Sequence, residues 1–273
     1  MTAAATIAEP APAGIPEERA QSLFRWNAVL AALHGIQGLI ILALSFARDP
    51  IVTSPVVTSY LTYDTAESTL VPAQRLLFDL PIGPAVAAFF FASAIAHALM
   101  AWPLRRWYEA RLARGIQPLR WVEYAISSSI MIVVIAALAG IQEIGTLVAI
   151  FGINAAMNLF GWSMELANEG RTRTQWSHYV FGCIAGIVPW IVIGISLWSA
   201  ATEPDAEPIP GFVIAIFVSL FIAFNVFAIT MVLQYARVGR WRDYLVGEKT
   251  YMFLSLFAKT ILAWQVFFGT LAP

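Results

Sequence analysis

The sequence predicts an all-α membrane protein: a bundle of seven transmembrane helices, N-terminus cytoplasmic and C-terminus extracellular, with a β-hairpin expected in its first extracellular loop. Three observations carry this. Charged residues make up 12% of the chain and hydrophobic residues 59%, far from the roughly 25% charged composition of soluble domains. Apolar stretches of the length needed to cross a hydrocarbon core, about 20 residues, recur seven times. The basic residues, finally, collect in alternate connections.

The chain opens with "MTAAATIAEPAPAGIPEERA", which has no basic start and no apolar stretch of its own. It does not read as a signal peptide, and residues 1–20 are expected to be a disordered cytoplasmic tail. One transmembrane domain is expected over 21–273, with helices near 22–46, 81–102, 108–140, 144–166, 176–200, 210–236 and 247–271. The connection from 47 to 80 is the long one. Its "IVTSPVVTSYLTYDTAESTLV" places β-branched residues and tyrosines around a polar turn, the pattern of a hairpin. The third helix takes in the amphipathic "RRWYEARLARGIQ", so that Glu123 lies deep in its span rather than near its start. A single cysteine, Cys183, leaves no intrachain disulfide to form.

Orientation follows from charge. Thirteen of the 16 Lys and Arg lie ahead of or just inside the start of the first span, or in and beside connections two, four and six; connections one, three and five hold only Arg48 and Arg75. The positive-inside rule puts the N-terminus in the cytoplasm of a multi-pass cell-membrane protein. The acidic fifth connection, "ATEPDAEPIP", agrees.

The remaining basic residue is Lys259, in the apolar run "FLSLFAKTILAWQVF". It lies about 15 Å from either end of its span at 1.5 Å per residue, beyond the reach of a snorkelling stem. A central lysine costs at least about 2.5 kcal/mol to insert. Three uses are open to it: an ion pair, an ion pathway, or an amine that carries an aldehyde cofactor as a Schiff base, a role that an apolar site favours by freeing the neutral amine. Glu123 in "LRWVEYAISSSIMIV" is the available partner, with Ser127, Ser128 and Ser129 as candidate donors to it or to the helix's own carbonyls. Glu165 reads as a solvated residue at the cytoplasmic end of the fourth span, and His178 as interfacial.

Other polar side chains gather toward the cytoplasm. His34 and Gln37 in the first span, with Ser93 and His97 four residues apart in the second, form a candidate cluster able to take up a proton. Asn154, Trp190, Phe224 and Trp264 suit the wall of a long, flat, conjugated ligand, and equally the packing of a lipid-embedded bundle.

Seven helices with a mid-span lysine in the last and a carboxylate in the third resemble a microbial rhodopsin. The segments "RWVEYAISSSIMIV", "AIFGINAAMNLFGW", "FGCIAGIVPWI", "PGFV" and "LSLFAKTILAWQVFFGTL" resemble the heliorhodopsins in particular, a family that is also inverted in the membrane. The resemblance implies all-trans retinal on Lys259 as a protonated Schiff base, with Glu123 as sole counterion. Ser255 would stand where pumping rhodopsins carry a second acid. Tyr124, Ser127, Ser128, Met131, Asn154, Trp190, Phe224 and Trp264 would hold the chromophore, and His34, His97, Ser93 and Gln37 would receive its proton. It further implies a homodimer, formed near the long outer loop.

The expected function is light sensing without net ion pumping, not enzymatic turnover. A light-driven proton transporter or channel stays open, although Glu143 is the nearest ionisable group toward the outer face. So does a non-photoactive structural or partner-binding membrane protein in which Lys259 and Glu123 merely fix helix packing. A cytoplasmic signalling or regulated protein partner could use the basic loops, whose surface also suits anionic membrane lipids. Neither a metal-ligand cluster, a nucleotide-binding glycine loop nor a nucleic-acid patch is present in the sequence; "GWSMELANEG" lacks the spacing of a nucleophile elbow.

Overall fold

The structure, a computed structural model, describes residues 14–204 and 207–271. Seven of its helices are long and apolar enough to cross a membrane. In chain order the elements are α1 (Glu17–Phe46), the strands β1 (Thr53–Asp64) and β2 (Thr69–Pro81), α2 (Ile82–Ala101), a short α3 (Arg105–Ala113), α4 (Pro118–Leu138), α5 (Ile144–Asn168), α6 (Ser177–Thr202), α7 (Gly211–Tyr235) and α8 (Tyr244–Val266). A 3₁₀ turn, Gly239–Arg242, precedes α8, and a π-helical turn, Phe267–Leu271, ends it.

Helix α1 begins at Glu17, ahead of the expected 22, so residues 17–20 are helix rather than tail; residues 1–13 of that tail lie outside the described residues. Pro16 precedes the helix, and Glu17 and Glu18 fill its first turn, where carboxylates complement the helix dipole. Helix α8 likewise begins earlier than 247, because the Asp243 side chain accepts from the Leu245 backbone N–H at 3.0 Å.

The third span differs from expectation in kind. It is not one helix over 108–140 but two, α3 and α4. The end of α3 is closed by Ile116 N–H to Arg111 O and Gly115 N–H to Leu112 O, with Gly115 at φ +71°. This crossed pair of bonds caps a helix through a left-handed residue, and Pro118 then starts α4 in its first turn. The depth that Glu123 needs comes from burial: Ile116 and Gln117, just before α4, are both fully covered.

Strands β1 and β2 form the expected hairpin, antiparallel from Thr53↔Pro81 to Asp64↔Thr69 with a register shift at Val56/Val57. Asp64 Oδ1 closes the turn by accepting from the Ala66 and Glu67 backbone N–H groups. Val56 is buried, and Val57 N–H donates to Gln142 O, tying the hairpin to the α4–α5 connection.

Apolar side chains such as Val29, Leu33, Ile36 and Leu39 of α1 point outward, as lipid requires. The core near the hairpin is built mainly of apolar residues, Val86, Phe89, Phe90, Ile132, Ile135, Leu262 and Val266 among others. The opposite, arginine-rich end (the basic end) mixes apolar and charged groups. That asymmetry positions the site.

Candidate functional site

Lys259 and Glu123 meet. The ammonium nitrogen lies 3.2 Å from Glu123 Oε1 and donates to Ser255 Oγ at 2.6 Å. Ser255 is one turn earlier in α8, the direction in which a helical side chain leans, so the lysine reaches toward the basic end. Both charged residues are buried, Lys259 at 3% exposure and Glu123 at 7%. Such a pair offsets desolvation costs that neither ion could bear alone. The Tyr124 ring adds a face to the ammonium at 5.3 Å.

The donor to the carboxylate is Ser93, not the α4 serines. Ser93 Oγ donates to Glu123 Oε1 at 2.6 Å. Ser128 instead donates to Tyr124 O and accepts from Asn154 and Asn158; Ser129 also accepts from Asn154; the Ser127 hydroxyl is buried without a partner among the described residues. These residues follow Glu123 along α4.

Of the expected polar cluster, His34, Ser93 and His97 come together. The two imidazoles stack in parallel at 5.5 Å. His97 Nδ1 lies 2.8 Å from Oδ1 of Asn27, a fully buried residue that the sequence reading missed. Gln37 does not join them. Three residues after His34 it is turned toward α8, where it accepts from Thr260 Oγ1 at 3.0 Å.

Between α4, α5, α6, α7 and α8 lies a cavity of about 350 Å³ with Lys259 in its wall. Of the residues expected to hold a chromophore, Tyr124, Ser128, Met131, Trp190, Phe224 and Ser255 line it. Trp190 meets Phe217, Phe221 and Phe224 edge-on at 5.4–5.6 Å. Asn154 stands one layer back, behind Ser128, and Trp264 is elsewhere, packed on Phe267 and Phe268. Five residues at 100° each carry Trp264 well away from the Lys259 face. The wall also includes Trp121, Tyr179, Phe227 and Tyr251 and, against expectation, His178, whose Nδ1 is 2.6 Å from Ser163 Oγ. Gly161 shapes the same wall: a Cβ there would lie 2.3 Å from the Trp121 ring.

Toward the basic end is a second buried charge cluster that sequence reasoning missed. Arg120, 4% exposed, pairs with Glu165 Oε1 at 2.5 Å and with Glu248. Tyr244 donates to Glu165, the Gln117 backbone N–H donates to Glu165 Oε2, and Tyr108 donates to Glu248 Oε1 at 3.0 Å. The Arg120 guanidinium also lies 4.3 Å from the Tyr251 ring centre. Glu165, expected in solvent, is 2% exposed, so Glu123 is one of several buried carboxylates. One signal was legible: Tyr244, Glu248, Tyr251 and Ser255 recur at helical spacing and lead to Lys259.

At the hairpin end, Glu143 accepts from the Thr146 backbone N–H at 2.7 Å, which holds its carboxyl below the usual range. It serves as the cap of α5.

A family model described as heliorhodopsin matches residues 23–271. The chain belongs to the heliorhodopsin family. Solved structures of similar fold are the rhodopsin of Exiguobacterium sibiricum, 17% identical with a TM-score of 0.61 over 91% of this chain and 96% of that one, and a light-driven proton pump of Leptosphaeria maculans, 16% identical with a TM-score of 0.61 over 92% and 95%. At such identities the likeness concerns the fold alone. No curated protein matches. A heliorhodopsin chain of seven membrane-spanning-capable helices is a multi-pass membrane protein of retinal-photoreceptor type.

Proposed function

We propose that this heliorhodopsin is a light sensor that holds all-trans retinal on Lys259 and moves no net charge across the membrane. The observation that carries this is a buried amine, paired to one carboxylate, in the wall of a cavity rich in aromatic side chains. The residues fit the group: Trp190 and Phe224 offer flat faces, and about 350 Å³ of space lies beside the amine, within the usual ligand-pocket range of roughly 300–1,000 Å³. Joined to the Lys259 nitrogen, retinal supplies absorption of visible light and isomerisation.

The chain does the rest. Glu123 and Ser255 hold the proton on the Lys259 nitrogen, and Ser93 fixes the carboxylate. When the nitrogen is displaced, the proton is held less well there, and the stacked His34 and His97 are the acceptors at hand on the basic side. Loss of the buried ion pair lets the helices settle into a second packing until the proton returns. On the hairpin side of the pair the buried polar groups are uncharged, Ser127, Ser129 and Asn154 among them, and a large apolar core lies there, which supports a proton that leaves and returns on one side. The output proposed is a change of shape, not a chemical turnover.

The arginine distribution supports a cytoplasmic N-terminus. The exposed Tyr60, Leu61, Leu76 and Phe78 of the hairpin suit a homodimer contact, and the arginine-rich loops suit anionic lipids and a cytoplasmic partner.

The test is a visible spectrum of the purified protein supplied with all-trans retinal. A band that hydroxylamine bleaches and that Lys259→Ala abolishes is expected; folded protein without a band overturns the reading. Light-induced pH change in cells is expected to be nil, and a sustained change would make the protein a transporter.

A further inference from the structure

The Asn27 side chain has one orientation open to it. Its Nδ2 lies 3.0 Å from Leu23 O, and a carbonyl oxygen can only accept, so the amide nitrogen is fixed on that side. Oδ1 therefore faces His97 Nδ1 at 2.8 Å, and an amide oxygen also only accepts. The hydrogen between them belongs to His97. The second Asn27 N–H points to Tyr108 OH at 3.4 Å, and that hydroxyl donates to Glu248 Oε1 at 3.0 Å.

Every donor in this chain points the same way, from His97 through Asn27 and Tyr108 to a carboxylate. Aligned dipoles of this kind polarise one another and present their negative ends to the imidazole, which favours a positive ring. Asn27 and Tyr108 are fully or almost fully buried. His34, by contrast, has neither ring nitrogen bonded among the described residues. The groups around His97 are Asn27 and His34 from α1, the charges of Glu123 from α4 and Lys259 from α8, Ser93 one turn earlier on α2, and Tyr108 and Glu248 beyond Asn27.

We propose that Asn27 is a positioning residue that holds His97 as its Nδ1–H tautomer, making Nε2 the atom that takes the proton from the Lys259 nitrogen, and that the Asn27 and Tyr108 hydrogen bonds carry the resulting positive charge to Glu248 in the Arg120 cluster as polarisation, with no proton leaving either side chain. The inference rests on the light-sensor reading. In the step, the N–H bond at Lys259 breaks with the electron pair left on that nitrogen, a new N–H bond forms at Nε2, and nothing is oxidised or reduced. The proton returns along the same route.

The tautomer is read by ¹⁵N solid-state NMR of histidine-labelled full-length protein in lipid, in the dark. His97 is expected to show a protonated Nδ1 and a bare Nε2. Asn27→Leu loses that preference, and Asn27→Asp, which keeps the acceptor, retains a protonated Nδ1. A bare Nδ1 in the native protein, or an unchanged spectrum in Asn27→Leu, overturns the proposal. If Asn27→Leu fails to fold, the native spectrum still decides the tautomer. The relay is tested separately by light-minus-dark infrared spectroscopy: a Glu248 carboxylate band, assigned with Glu248→Gln, appears in the native protein and is lost in Tyr108→Phe. Persistence of that band removes the relay. The dark tautomer needs no chromophore, so absence of a visible band would sink the light-sensor reading and with it the proton step while the tautomer assignment stands, whereas a visible band with a bare Nδ1 would sink this inference alone.

Discussion

Two buried charge clusters share α4 and α8, with Arg120 a turn before Glu123 on the first and Glu248 about three turns before Lys259 on the second, and they are built to opposite ends. Lys259 has one carboxylate, at 3.2 Å, with Ser93 and Ser255 as hydroxyl neighbours and a cavity beside it. Arg120 has two carboxylates, and each of these accepts further bonds from Tyr244, Gln117 or Tyr108, while Tyr251 covers the guanidinium. A lysine amine can give up its proton and can be modified; a guanidinium stays charged and grips carboxylates with a planar fork. The difference teaches that burial alone does not mark a switch. What marks it is a charge with few, exchangeable partners, next to one with many that cannot let go.

The comparison breaks first at Arg120. Arg120→Ala leaves Glu165 and Glu248 buried without their cation, and removing one member of such a cluster costs about 3–5 kcal/mol. Thermal unfolding followed by circular dichroism should show the loss, and Arg120→Lys should restore only part of it. Equal stability of Arg120→Ala and native protein would show that the cluster is not a clamp. Ser93→Ala sharpens the other side. Hydrogen bonds to charged groups contribute about 1.5–3 kcal/mol, so the variant should unfold earlier and hold the Lys259 proton in a changed visible band; an unmoved band would remove Ser93 from the site. The smallest effect is expected at Gln37, whose only described partner is Thr260. Gln37→Leu should cost about 0.5–1.5 kcal/mol and leave the band where it was. A shifted band would return Gln37 to the proton-accepting cluster.

The Lys259–Glu123 pair was legible because each charge interrupts an apolar run, and an isolated charge in lipid demands a partner. The hairpin was legible for a similar reason, since β-branched residues around a polar turn have little else to form. Arg120, Glu165 and Glu248 stood at span ends, where charges are ordinarily solvated; only the third dimension, with Ile116 and Gln117 packed inside the bundle, takes them out of water. The break between α3 and α4 was written plainly in Gly115 and Pro118. The expectation of a long helix came from needing depth for Glu123, and burial of the helix start met that need instead. Ser93 as the carboxylate's donor depends on how α2 is rotated against α4, which no single-helix pattern encodes. Trp264 was the reverse case, since helical spacing from Lys259 already turned it away.

The hairpin has one more consequence. In a sheet of two strands both are edges, and apart from Val57, whose N–H is bonded to Gln142 O, each offers an outward row of backbone N–H and C=O groups on which a foreign extended chain could grow. Pro55 in β1 and Pro72 in β2 have no N–H to offer, and proline is tolerated in a ladder only where that missing donor faces outward. Each outward row is therefore interrupted by a residue that cannot continue it. Whatever meets this surface must bind through the tyrosines, leucines and phenylalanine it displays, and a stray strand finds no unbroken template to extend.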